Sequence, residues 1–187
     1  MLPIIPVKCE RLMNKKITEI LDESIRQELL VADFYGLFET TFREDREFWY
    51  ILSQEELNHG AILQAERDEF YEVGLLPEEF ALTDSETLQE QNSLLSDFLG
   101  ILKKTPPSIE QAFTIGFCLE GAIAETVFRS CLKEYPETRA LRVFNFMVGE
   151  ERAHIERILQ QASKLEISIE KTSSLETLVG SFRHDLK

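Results

Sequence analysis

The chain has 187 residues, a length typical of one domain, and its 43% apolar and 29% charged residues are close to the average for globular proteins. This composition argues against disorder, a collagen-like repeat and a disulfide-stapled miniprotein. Acidic residues outnumber basic ones by 34 to 20, so the formal charge is -14 and the surface should repel nucleic acids and anionic membranes. We expect a single domain over residues 1–187, with no nucleic-acid and no membrane partner.

The cysteines Cys9, Cys118 and Cys131 form no C-x-x-C pair, so the sequence indicates neither a disulfide framework nor a thiolate metal site. The apolar stretch from Leu2 to Val7 is short and contains two prolines, and it suits neither a signal peptide nor a membrane span. Both features predict a cytoplasmic protein.

Apolar residues recur every three or four positions over four long stretches, which is the period of an amphipathic α-helix. A first helix is predicted to begin after Asn14 as N-cap and to end near residues 43–47. A second is predicted over about 45–72. The short turn between them predicts antiparallel neighbours.

A third helix is predicted to begin at Ser108, which is a good N-cap and follows Pro106 and Pro107. It should end near Pro136, and a fourth helix should span about 137–164. This second pair is also joined by a short turn, so it too is predicted to be antiparallel.

The segment that joins the two pairs, residues 75–107, is too long for a turn and contains a short helix signalled by a capping box that ends at Glu86. The tail, about 164–187, is expected to add a small helix over 174–182. Taken together, the pattern predicts an all-α fold: an antiparallel four-helix bundle, with its core in about 15–163, and one long crossover containing a short helix.

Six polar residues interrupt the otherwise apolar inward stripes of these helices. They are Glu28 on the first helix, Glu56 and His59 on the second, Glu120 on the third, and Glu151 and His154 on the fourth. An isolated carboxylate in an apolar core costs several kcal/mol, so four of them need a compensating charge. A cation cluster supplies it, and carboxylate oxygens combined with neutral imidazoles suit iron or manganese.

The Glu-x-x-His spacing places both side chains of a pair on one helix face, one turn apart, so that each pair can reach one metal. The inward glutamates of each helical pair also lie at about equal distances from the turn between them. This quasi-equivalence predicts two metal ions bridged by two carboxylates, each ion also holding a terminal glutamate and a histidine. The sequence leaves open which carboxylates bridge. Glu55 and Glu150, rotated by about 100° from the inward glutamates, are expected to be surface charges.

Several of these motifs resemble the rubrerythrin-like branch of the ferritin-like superfamily. They are Gln27-Glu28, Ser53-Gln-Glu-Glu56-Leu-Asn-His59, the Ser108-Ile-Glu-Gln-Ala-Phe approach to Glu120-Gly121, and Gly149-Glu-Glu151-Arg-Ala-His154. The resemblance implies a four-helix bundle with a non-haem di-iron centre, commonly a homodimer, that reduces hydrogen peroxide or dioxygen. It also implies that Tyr35 lies near the metals, because the family has a tyrosine at this place.

Two departures from that family bear on the activity. Rubrerythrins carry a rubredoxin-like module with paired C-x-x-C motifs, which this sequence does not contain, so a separate rubredoxin-like protein would donate the electrons. The family's peroxidases also have a glutamate one turn after the third-helix ligand, where this chain has Ile123. The leading hypothesis is therefore an oxidoreductase with two Fe ions, or a Mn or mixed pair. The alternatives are a ferroxidase or other iron-handling protein and a metal-free helical interaction module.

Overall fold

The computed structural model describes residues 7–73, 85–126, 139–170 and 174–185, and the regular structure within them is entirely helical. The helices are α1 (Val7–Thr41), α2 (Arg46–Val73), α3 (Ser85–Leu102), α4 (Ile109–Thr126), α5 (Arg139–Lys164) and α6 (Leu175–Asp185). The predicted all-α class is thus confirmed for the described part of the chain. None of these helices combines the length and the apolar character needed to cross a membrane.

The bounds of α2 and α5 agree closely with the prediction, whereas α1 begins at Val7, so that Asn14 lies inside the helix. The stretch from Val7 to Met13 contains neither glycine nor proline and is rich in good helix formers, so nothing in it stops the helix. The crossover helix α3 is also longer than expected, with 18 residues. The predicted end of the third helix near Pro136 lies outside the described residues.

Serine side chains begin two of the helices where the sequence predicts. The Ser108 hydroxyl accepts a hydrogen bond from the Gln111 N–H at 3.3 Å, and the Gln111 side-chain oxygen accepts one from the Ser108 N–H at 2.8 Å. This reciprocal pair is a capping box at the start of α4. The Ser174 hydroxyl likewise accepts a hydrogen bond from the Thr177 N–H at 3.3 Å, so α6 begins near its expected start.

Helices α1 and α2 are antiparallel, as predicted. The Ser53 hydroxyl donates a hydrogen bond to the carbonyl of Ala32 at 3.0 Å, and Arg46 pairs with Glu39 at 3.0 Å closer to the turn. Residue numbers rise along one helix as they fall along the other. The predicted hairpin of α1 and α2 is therefore confirmed.

Helix α5 is antiparallel to α2 by the same reasoning. Gln161 donates a hydrogen bond to Asp45 at 2.9 Å, and Arg157 donates one to Glu55 at 3.0 Å. Helices α4 and α5 also pack together, because Ile158 of α5 fills the space that a side chain at Gly116 of α4 would enter. These contacts join α2, α4 and α5 along one buried interior.

Helices α3 and α6 lie outside this interior. The Asn92 amide donates to the carbonyl of Glu23 at 2.7 Å, and Lys103 lies 4.0 Å from Asp33, so α3 runs parallel to α1. The buried side chains of α6 pack on α3 and α4; the ring of Phe182 lies 5.3 Å from that of Phe98. Helix α6 therefore packs on the buried face of the crossover helix, because Phe98 also lies 5.8 Å from Phe34 of α1.

Candidate metal centre

The structure places all six candidate ligands in the interior, with exposed fractions of 3% or less. They come from four helices: Glu28 from α1, Glu56 and His59 from α2, Glu120 from α4, and Glu151 and His154 from α5. The periodicity argument that these polar residues face inward is confirmed.

One group of ligand atoms brings together Glu28, Glu56 and His59. His59 Nδ1 lies 3.2 Å from Glu56 Oε2 and 3.7 Å from Glu28 Oε2. One ligand atom from each residue lies within 4.8 Å of the other two, which is close enough for a shared metal ion. Helices α1 and α2 thus supply two glutamates and a histidine to this group.

A second group brings together Glu56, Glu120 and His154. His154 Nδ1 lies 2.7 Å from Glu56 Oε1 and 3.3 Å from Glu120 Oε2, again with all three ligand atoms within 4.8 Å. Glu56 therefore belongs to both groups, with Oε2 facing His59 and Oε1 facing His154. The structure offers Glu56 as a bridging carboxylate, a choice that the sequence leaves open.

The remaining candidate, Glu151, is buried with an exposed fraction of 1%, but it belongs to neither group of three. Neither of its carboxylate oxygens has a hydrogen-bond partner. The charges of Glu120 and Glu56 act on it, as do those of both histidines, so its carboxylate lies near the two groups. Its role as the second bridge remains a prediction.

Most of the buried ligand atoms lack a hydrogen bond of good geometry. These atoms are Glu28 Oε2, Glu56 Oε1, Glu120 Oε2, both oxygens of Glu151 and both nitrogens of His154. Buried polar atoms are normally hydrogen-bonded, yet here they approach one another without the required angles. Oxygen and nitrogen donors that converge in this way are suited to iron or manganese, so these residues fit a two-ion centre.

The carboxylates have strongly divergent pKa values in the metal-free protein. Burial raises the pKa of Glu28 well above its usual value, and burial together with the charge of Glu56 raises the pKa of Glu120. Burial likewise raises the pKa of Glu151 to about 8. Burial also acts to raise the pKa of Glu56, but the close imidazoles of His154 and His59 outweigh it and lower that pKa to about 2.

The histidines carry the compensating charge. Burial acts to lower their pKa values, but the close carboxylates of Glu28 and Glu56 raise the pKa of His59 to about 10. Glu120 and Glu56 do the same for His154, whose pKa is also raised to about 10. Protons on the imidazoles thus neutralise carboxylates in the metal-free protein, and a metal ion must displace them to bind.

Tyr35 lies beside the candidate ligands, as the family resemblance implies. Its hydroxyl donates a hydrogen bond to Glu120 Oε1 in the interior. Burial and the charge of Glu120 raise the pKa of Tyr35 well above its usual value, so the hydroxyl keeps its proton and remains a donor. A redox role for Tyr35 remains a prediction.

An apolar layer closes one side of the site. It consists of Tyr35, Trp49, Phe113 and Ile158, all fully buried and each seven residues from an inward glutamate on the same helix. Seven residues are about two helical turns, so the four side chains share one level in the interior. The rings of Tyr35 and Trp49 are stacked with centroids 5.7 Å apart. The layer excludes water from this side.

The opposite flank opens into a cavity of about 480 Å³ lined in part by His59, Glu55 and Glu150. The expectation that Glu55 and Glu150 are surface charges is wrong, because both are half-buried. A rotation of about 100° from the inward face directs them into the seam between α2 and α5, where Glu55 keeps 29% of its side chain exposed. The repeated Glu-Glu-x-x-His pattern is the sequence signal that could have identified them.

Glu55 connects this flank to the candidate ligands. Both terminal nitrogens of Arg157 contact its carboxylate, one of them at 3.0 Å. Glu55 Oε2 also lies 3.3 Å from His154 Nε2. Glu150 forms a further close group with His59 and His154.

A scan against models of protein families, a search of curated proteins and a search of solved structures each find no match to this chain. That the six candidate residues bind metal remains a prediction of the geometry.

Proposed function

We propose that this chain is a ferritin-like di-metal carboxylate protein. More particularly, we propose a rubrerythrin-like di-iron oxidoreductase that reduces hydrogen peroxide or dioxygen with electrons from a separate donor protein. The observation that carries the proposal is Glu56, whose two oxygens face two separate groups of buried glutamate and histidine. Two bound iron ions would supply the electrons that reduce the O–O bond.

The packing of the helices supports the ferritin-like arrangement. Helices α1 and α2 form one antiparallel pair, α5 runs antiparallel to α2, and α4 packs on α5. Helix α3 lies outside them and parallel to α1, as expected for a helix within a long crossover.

The two groups of glutamate and histidine are arranged equivalently, and this pseudo-symmetry suggests which residues belong to each ion. Glu28 and His59 would hold one ion, Glu120 and His154 would hold the other, and Glu56 would contribute one oxygen to each. Glu151 occupies the position on α5 that Glu56 occupies on α2, three residues before a histidine, and its oxygens have no partner. We therefore assign Glu151 as the second bridge.

Three features around the site bear on the proposed reaction: the cavity, the aromatic layer and the Tyr35 hydroxyl. The cavity beside His59 gives a small neutral molecule such as peroxide or dioxygen a route to the ligands, while the aromatic layer excludes bulk water on the other side. The hydroxyl of Tyr35 holds a proton at Glu120 Oε1, where reduction of an O–O bond to water consumes protons.

A second candidate is a ferroxidase or iron-handling protein, which the acidic lining of the cavity favours. Glu55 and Glu150 place carboxylates at the flank of the site, where they attract cations. A metal-free interaction module is less well supported, because Glu151 would then stay buried with neither carboxylate oxygen hydrogen-bonded, which destabilises the fold.

Metal content tests the proposed centre. Elemental analysis of protein from iron-replete cells should find about two metal ions per chain. Glu56→Ala should lose them, whereas Glu156→Ala, at an exposed position on the same helix as His154, should keep them. No metal in the natural protein, and none taken up on anaerobic reconstitution, would contradict the centre and favour the interaction module.

Stopped-flow mixing of the ferrous-loaded protein with peroxide or with dioxygen tests the chemistry. The proposal requires oxidation much faster than that of free ferrous iron, followed by repeated turnover with a reductant. Size-exclusion chromatography with iron loading separates the second candidate, because a store binds far more than two irons per chain in a large assembly.

A further inference from the structure

We propose that Glu55 and Glu150 are positioning residues for the two histidines of the proposed centre. With a metal ion held at Nδ1, the Nε2–H of each histidine would donate a hydrogen bond to the glutamate on the opposite helix: His154 to Glu55, and His59 to Glu150. The inference rests on the proposed metal centre and adds a second task for each Glu-Glu-x-x-His segment. The second glutamate binds metal, and the first orients the histidine of the other segment.

The two ring nitrogens of His154 face different carboxylates. Nδ1 lies 2.7 Å from Glu56 Oε1, on the side of the candidate ligands, while Nε2 lies 3.3 Å from Glu55 Oε2. An imidazole that binds a metal through Nδ1 carries its proton on Nε2, and that proton usually goes to a carboxylate or carbonyl. Glu55 is in place to accept it.

Arg157 holds Glu55 in the orientation that this requires. Its two terminal nitrogens contact the two carboxylate oxygens of Glu55, a two-point arrangement that fixes the plane of the carboxylate. Arg157 follows His154 by three residues, so it lies one turn farther along the same face of α5. One helix thus supplies both the histidine and the cation that anchors its acceptor.

Glu150 occupies the related position on the other side. His59 Nδ1 faces Glu56 and Glu28, which leaves the opposite ring nitrogen, Nε2, for the flank of the cavity. Glu150 lines that cavity with His59 and forms a close group with both histidines. Since α2 and α5 are antiparallel, the two segments meet head to tail.

A third metal ion held by His59, His154 and Glu150 is a poorer account of the same group. Each histidine would have to bind an ion through each ring nitrogen, which requires an imidazole without any proton. A neutral imidazole satisfies both sides at once, with Nδ1 on the metal and Nε2–H on a carboxylate.

The test compares four full-length proteins, each prepared without metal: the natural protein, Glu55→Ala, Glu55→Gln and the control Glu39→Gln. Glu39 pairs with Arg46 near the turn of α1 and α2, so its variant removes a charge without touching the site. Co²⁺ titration followed by absorption gives the Kd, and the histidine ¹H–¹⁵N spectrum of the Zn²⁺-bound protein gives the tautomer. Glu55→Ala should raise the Kd about 10- to 100-fold and shift the Nε2–H signal of His154.

Glu55→Gln keeps an acceptor oxygen, so its Kd should remain within a few-fold of the natural protein, and the control should not change. Glu150→Ala should shift the Nε2–H signal of His59 in place of that of His154. If Glu55→Ala does not fold, the same measurements are made on Arg157→Leu. This variant keeps Glu55 but removes the cation that orients its carboxylate. A weaker Kd with a shifted His154 signal then supports the proposal.

Two failures are distinguishable. Natural protein that binds no Co²⁺ would overturn the proposed metal centre and this inference with it. Natural protein that binds two Co²⁺, together with a folded Glu55→Ala or Arg157→Leu variant of equal affinity and unchanged His154 signal, would overturn the positioning role alone.

Discussion

The hydroxyl of Tyr35 on α1 donates a hydrogen bond to Oε1 of Glu120 on α4, so one buried contact joins the first and second helical pairs beside the candidate ligands. The same ring stacks on Trp49, which belongs to the apolar layer. Tyr35 therefore orients a candidate ligand with its polar end and closes the site with its apolar body.

Tyr35→Phe should separate these two tasks, because phenylalanine keeps the ring and removes the donor. We expect the free energy of unfolding of the metal-free protein to fall by about 1 to 3 kcal/mol, since the buried oxygen of Glu120 loses its partner. Urea unfolding followed by circular dichroism measures the change. Tyr50→Phe is the matched control, because Tyr50 is about half exposed, and it should change stability little. Equal effects of the two variants would contradict the role given to Tyr35.

The inward positions of the candidate ligands could be predicted because a helical period fixes which residues share a face. Glu28 and Glu120 are spaced like the apolar residues around them, so periodicity alone indicates that they are buried. The start of α1 was less predictable, since Asn14 is a good N-cap but local propensity allows the helix to extend beyond it.

The contacts of Glu55 and the shared role of Glu56 could not be predicted in the same way. Glu55 lies at the flank of α2, where burial depends on which helix packs there, and only the tertiary contact with Arg157 on α5 decides that. Glu56 and Glu151 are equivalent in the sequence pattern. Side-chain orientation distinguishes them, because Glu56 contacts both histidines whereas Glu151 lies outside both groups.

The metal-free protein should be most stable in mildly acidic solution. The pKa values of His59 and His154 are raised from 6.5 to about 10 on folding, so their contribution is complete below about pH 6.5 and is lost as the pH rises toward 10. The pKa of Glu56 is lowered from 4.5 to about 2, so its contribution is present above about pH 4.5 and lost toward pH 2. Urea unfolding across this range measures the profile.

The double variant His59→Gln, His154→Gln supplies the control for this profile. It should reduce the loss of stability between about pH 6.5 and 10, because the titrating imidazoles are gone, while the ionisation of Glu151 still contributes up to about pH 8. A metal-free natural protein that becomes more stable over this interval would contradict the assignment of protons to the histidines.

Metal binding should release protons near neutral pH. Both imidazoles are protonated in the metal-free protein and must be neutral to bind metal, so filling the site displaces about two protons from them and more from the carboxyls with raised pKa values. Calorimetric titration in buffers of different ionisation enthalpy counts these protons. The affinity should tighten about tenfold per pH unit for each proton displaced. His59→Gln should reduce the count by about one, and a count near zero in the natural protein would exclude histidine ligation.

Glu151→Gln should stabilise the metal-free protein and weaken metal binding. The pKa of Glu151 is raised from 4.5 to about 8, so its ionisation opposes folding by an amount that grows above about pH 4.5 and levels off above about pH 8. Removing the charge should therefore increase the free energy of unfolding near pH 9 by an amount on the order of a few kcal/mol, and by less near pH 5. Glu156→Gln, at an exposed position on the same helix, should show no such pH dependence. A variant that gains no stability at high pH, or that binds two metal ions as tightly as the natural protein, would remove Glu151 from the site.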